Sequence, residues 1–148
     1  MSRSQIASDS LPRRLSLLAE LGGPEGLGVY AGYYVTDALA LTVGVGLNFD
    51  AHLGMQLYFG GHTRSAHSVY AGAHFVICNQ YVLAGPAGDR QGGVFIPLGY
   101  EYLARGGFTL QVEVGPNFVG THWSQVNTRR ILASIRLGKT WRALISNR

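Results

Sequence analysis

His122 and Ser124 flank Trp123 in the stretch THWSQ, and both are residue types that can attack an ester. A serine hydroxyl becomes nucleophilic when a nearby imidazole takes its proton, and a carboxylate normally orients that imidazole. In an extended chain, residues two apart share a face, so this pair can meet. The acid is the difficulty. No Asp or Glu follows Ser124, and Glu101 and Glu113 lie upstream in segments read below as strands. His122 and Ser124 therefore stand as catalytic candidates, and the chain is not assigned as an enzyme.

Other chemistry-bearing residues are more dispersed. His62 and His67 flank Arg64 in the turn-like GGHTRSAH, while His52 and His74 fall in alternating segments. A metal site needs three or four convergent ligands at recognisable spacing, which these do not have. No metal or cofactor is expected, and the turn histidines read as solvated. GVGLNF and GGHTRS carry glycine but lack the strand–loop–helix setting of a phosphate cradle. The 12 basic residues exceed the 8 acidic ones. They are scattered and not interleaved with aromatics, which argues against nucleic acid.

The elements that must position these groups have a period of two. In ALALTVGVGLNF, Leu39, Leu41, Val43, Val45 and Leu47 alternate with small or polar residues. Eight such segments are predicted, over 15–22, 26–36, 38–48, 52–60, 68–78, 93–103, 107–119 and 131–141. One phase is apolar throughout. The other holds Gly, Ser, Thr and Tyr, with Tyr30, Tyr34, Tyr58 and Tyr70 among them.

Two closed barrels alternate in this way. A water-soluble, lipocalin-like barrel turns the apolar phase inward around an apolar ligand. A membrane barrel turns it outward to lipid and fills its interior with the small and polar phase. A wetted strand surface is normally rich in Lys and Glu, whereas only 14% of this chain is charged and glycine occupies 21 positions. The strand charges Glu20, Glu101, Glu113 and Arg136, together with Gln111, all share the polar phase. They are expected to form a network inside the lumen, with Arg136 as the shared donor. The fold class expected is an eight-stranded antiparallel up-and-down transmembrane β-barrel over 15–141. A flexible lead-in, 1–14, precedes it and a tail, 142–148, follows.

Connection lengths support alternating rims. The stretches after the fifth and seventh segments are long, and those after the second and sixth are tight. The long connections, 79–92 and 120–130, would form an outer rim. There Arg90, Arg129, Arg130 and Trp123 are candidates for contact with lipopolysaccharide phosphates or an external partner. Phe49, Phe59, Tyr100, Tyr102, Phe118, Trp123 and Trp141 fall near strand ends, where interfacial rings gather. Pro97 and Pro116 fall inside strands, where each deletes a ladder hydrogen bond. No apolar run approaches the ~20 residues of a spanning helix. The stretch MSRSQIASDSLPRR has no apolar segment of the kind a secretory signal uses. Cys78 is the single cysteine, so no internal disulfide forms.

The hairpins GVYAGYYVTDALALTVGVGL and PLGYEYLARGGFTLQVEVGPNF resemble those of small eight-stranded outer-membrane β-barrels of Gram-negative bacteria. That resemblance covers nearly the whole chain. It implies a barrel in an outer membrane. Eight strands enclose too narrow a lumen for an open pore. The architecture therefore leads us to expect a monomer with a lumen plugged by side chains and a structural or interaction role at the cell envelope. The His-x-Ser of THWSQ is also similar to that of outer-membrane lipid A deacylases, which implies an alternative lipid-modifying hydrolase using Ser124 and His122.

Overall fold

Alternating segments pair with their chain neighbours when short connections leave no other reach. The computed structural model describes residues 13–23, 26–47, 50–62, 66–78, 91–120 and 128–142. Its strands are β1 (Arg13–Gly22), β2 (Gly26–Tyr34), β3 (Leu39–Gly46), β4 (Ala51–Phe59), β5 (His67–Cys78), β6 (Gln91–Phe95), β7 (Leu98–Leu103), β8 (Phe108–Gly120) and β9 (Thr128–Arg142). Every pairing is antiparallel. β6 and β7 both lie between β5 and β8, so they are two halves of one interrupted stave. β1 pairs with β9, and the eight staves close into a barrel.

The closure has a measurable stagger. From His67 the partners run through Tyr102, Leu110, Leu137, Ala19, Val29, Val45 and Ala51. The row returns to β5 at Ile77, ten residues beyond its start. A shear of ten over eight staves tilts the strands by about 40° from the barrel axis.

The interruption lies at Ile96–Pro97. Register is kept across it, from Phe95↔Asn117 to Leu98↔Val114. Pro97 still accepts from Gly72 N at 2.8 Å, and Pro116 accepts from Ile96 N at 3.0 Å. The two missing proline N–H groups leave the stave split in the ladder but continuous in space. Pro116 remains within β8, opposite Ile131.

The two phases face opposite sides. Leu41, Val43, Leu53, Val112 and Ile135 are exposed on the outside, whereas Glu20, Gln56, Glu101, Gln111, Glu113 and Arg136 are buried. Two segment boundaries differ from expectation. β9 begins at Thr128, so Arg129 and Arg130 are strand residues opposite Phe118 and Asn117, not loop residues. β6 likewise takes in Gln91 and Gly92. Both hairpins continue pairing beyond the run of strict apolar alternation, because backbone hydrogen bonds need no apolar face.

Candidate functional site

The lumen is where the chain gathers its reactive side chains, and strand register decides which of them meet. One cross-strand row carries Ser68, Glu101, Gln111, Arg136 and Glu20 on five successive staves. The next row carries Tyr70, Gly99, Glu113 and Ser134. Neighbouring inward residues are therefore forced into contact by the ladder itself.

Arg136 is the centre of one cluster. Its Nη2 donates to Glu20 Oε1 at 2.8 Å and to Glu113 Oε1 at 2.5 Å. The guanidinium carbon lies 4.2 Å from the centroid of the Tyr30 ring, a cation–π contact. Ser134 Oγ and Tyr70 Oη donate to the two oxygens of Glu113, at 3.0 and 3.1 Å. One fully buried cation is thus shared by two carboxylates. The hydroxyls of Ser134 and Tyr70 replace part of the water that Glu113 loses on burial, and the Tyr30 ring covers the guanidinium.

Glu101 organises the second cluster, and it does not use Arg136. Its Oε2 accepts from Gln111 Nε2 at 2.6 Å, from Tyr34 Oη at 2.9 Å and from Tyr58 Oη at 3.1 Å. Its Oε1 faces His62 Nδ1 at 2.6 Å. The His62 ring stacks on Tyr34, with centroids 3.7 Å apart and planes 9° from parallel. His62 is 1% exposed, which corrects its reading as a solvated turn residue. The turn itself brings it in. Gly60 and Gly61 hold φ of +85° and +87°, values that suit glycine, and bend the chain back over the barrel end. Asp37 O then accepts from His62 N at 2.7 Å.

A third group is aromatic and imidazole. His52 and His74 meet edge to face at 4.9 Å, and His74 Nδ1 lies 3.3 Å from Thr42 Oγ1. Tyr30 and Phe95 flank the pair. No cluster of three or more potential metal ligands occurs among the described residues.

Glycine explains how these bulky groups fit. Tyr70 lies across Gly99, where an added Cβ would come 2.2 Å from the Tyr70 ring, and so reaches Glu113 beyond it. His52 crosses Gly44 towards Tyr30, and His74 crosses Gly54 towards Thr42, with similar closeness. In each case a ring, a glycine and the ring's partner stand side by side on three staves.

Of the residues singled out from sequence, Glu20, Glu113 and Arg136 meet directly, and Gln111 and Glu101 meet directly. Around Glu101, sequence reasoning placed Tyr34 and Tyr58 in the polar phase without pairing them to it, and missed His62 altogether. The two adjacent glycines before His62 were the available signal. His67 does face outward, beside Tyr102, with its Nδ1 hydrogen-bonded to the Tyr100 hydroxyl. His122, Ser124, Arg90 and Trp123 lie outside the described residues. The side chains of Arg129 and Arg130 do too.

The arrangement can hold charge and fill space. Among the described residues, the lumen is packed with hydrogen-bonded polar and aromatic side chains. No protein-family model matches the chain, and no curated protein matches it in sequence.

Proposed function

We propose that the chain is a small outer-membrane barrel with a structural or interaction role at the cell envelope, working as a monomer. The observation that carries this reading is the inversion of the two faces. Apolar side chains at mid-strand, such as Leu41, Val43, Met55 and Val112, are 42–52% exposed, while Arg136 and its carboxylates are 1% exposed. Hydrocarbon is the solvent in which such an outside costs least.

The outer face adds a second support. Tyr33, Phe59, Tyr100, Phe108 and Trp141 lie outward at the strand ends nearest both barrel termini. Lys139 is exposed between Trp141 on its own strand and Phe108 across the ladder. A ring of aromatics with a lysine that can extend its ammonium to phosphate fits a headgroup level. The opposite rim, carrying the connections at 79–90 and 121–127, would then face outward, towards lipopolysaccharide or an external partner. That is also where His122 and Ser124 belong in sequence. Loss of lipid A deacylation in a Ser124→Ala variant is the result that would assign the hydrolase alternative.

A water-soluble barrel is the competing reading: it shares the closed eight-stave sheet, but it would turn its apolar phase inward. Gel migration separates the two. Folded protein loaded in cold SDS should run apart from a boiled sample if lipid is its solvent. Identical migration, together with detergent-free solubility, would favour the soluble barrel.

A further inference from the structure

We propose that Glu101 is a cation site of the lumen, filled here by the chain's own His62 and open to a small inorganic cation when the Gly60–Gly61–His62 arm turns out. The proposal concerns the lumen alone and does not depend on what surrounds the barrel.

Three observations carry it. First, the two oxygens of Glu101 are treated differently. Oε2 is held by Tyr34, Tyr58 and Gln111 from the barrel wall, whereas Oε1 is paired with His62, a residue borne by a connection and not by a stave. Withdrawing His62 would thus leave the wall intact and one carboxylate oxygen without its imidazole partner. Second, the arm leaves β4 through a glycine turn and is held at His62, by its N–H on Asp37 O and its stack on Tyr34. Its two left-handed glycines bear no side chain to anchor them, and an added Cβ at Gly60 would meet nothing within 4 Å. Third, the wall offers Glu101 no cation of its own. Arg136 is committed to Glu20 and Glu113. Among the described residues that contact Glu101, the only other titratable groups are the hydroxyls of Tyr34 and Tyr58, and they cannot supply a positive charge. A buried carboxylate that loses its partner binds a cation or a proton.

Silver ion tests this, because it is a small bare cation that bonds a thiol and releases that thiol's proton. Ser68 lines the lumen directly across the ladder from Glu101, so Ser68→Cys in a Cys78→Ser background places a reporter beside the site. With His62 present, silver should block the thiol slowly. His62→Ala should raise that rate at least tenfold, and adding Glu101→Gln to His62→Ala should lower it again several-fold. Equal rates with and without His62 would overturn the stopper, and indifference to Glu101→Gln would overturn the cation site. Where His62→Ala does not fold, His62→Gln carries the same comparison: a rate no higher than the parent's overturns the proposal.

Discussion

Glu20 and Arg136 are 116 residues apart in sequence and directly opposite one another across the seam between β1 and β9. Their ion pair spans the seam at which the barrel closes. The same guanidinium holds Glu113 on β8, so one side chain ties three staves together. Register and charge are mutually reinforcing here. A slip of β9 by one residue would turn Arg136 outward and leave two acids buried without a cation.

Arg136→Leu should therefore destabilise the barrel by about 3–5 kcal/mol, because it strands Glu20 and Glu113 in the interior. Combining it with Glu20→Gln and Glu113→Gln should recover most of that loss, since the uncompensated charges go with it. Urea unfolding of the single and triple variants, refolded in the same medium, checks both. A triple variant as unstable as the single one would mean that packing, not charge, is what Arg136 supplies.

His62 fills a slot between the Tyr34 ring and Glu101 Oε1. Removing it as His62→Ala leaves a cavity of imidazole shape beside an unpaired carboxylate oxygen, at a cost of about 2–4 kcal/mol. Imidazole added to the medium should bind there and raise the melting temperature of His62→Ala while leaving the parent unchanged. Thermal unfolding against imidazole concentration measures it. No differential shift would show that the slot collapses when vacated.

The barrel was legible in the sequence because period-two alternation survives in every stave, and lumen membership followed from phase alone for Glu20, Glu101, Gln111, Glu113 and Arg136. What phase cannot give is a partner. That Arg136 serves Glu20 and Glu113 but not Glu101 depends on the registers of β7, β8, β9 and β1, including the closing pair β1–β9 whose strands are far apart in sequence. His62 was harder still. It belongs to no strand, so no alternation marks it, and a histidine among Gly, Thr and Arg reads as wet. Pro97 was visible as an anomaly, but its tolerance depends on Gly72 and Gly115 standing opposite it on the two flanking strands.

Gly99 should not accept a methyl group. Its added Cβ would sit 2.2 Å from the Tyr70 ring, which is itself held by Glu113. Gly99→Ala is expected to cost about 1–3 kcal/mol through displacement of that ring. In a Tyr70→Ala background the same substitution should cost much less, because the obstructing ring is gone. A double-mutant cycle would read this as a coupling energy of order 1 kcal/mol or more. Strict additivity of the two changes would refute the idea that glycine is there to let the tyrosine cross.

Val43 stands mid-strand on β3, flanked on the outer face by Ala31 of β2 and Leu53 of β4. If hydrocarbon surrounds it, Val43→Arg should destabilise folding into lipid vesicles by about 2–4 kcal/mol, and the penalty should shrink towards the strand ends. Leu15→Arg, beside Trp141 at the terminal rim, should cost no more than about 1 kcal/mol. In water both positions are already exposed, so a soluble barrel would tolerate both changes within a few tenths of a kcal/mol. The quantity that decides is the difference between the two sites, because general effects of adding an arginine cancel in it. A depth-dependent penalty can arise only from a solvent that itself varies with depth, and equal costs at Val43 and Leu15 would leave the outward apolar band without its proposed cause.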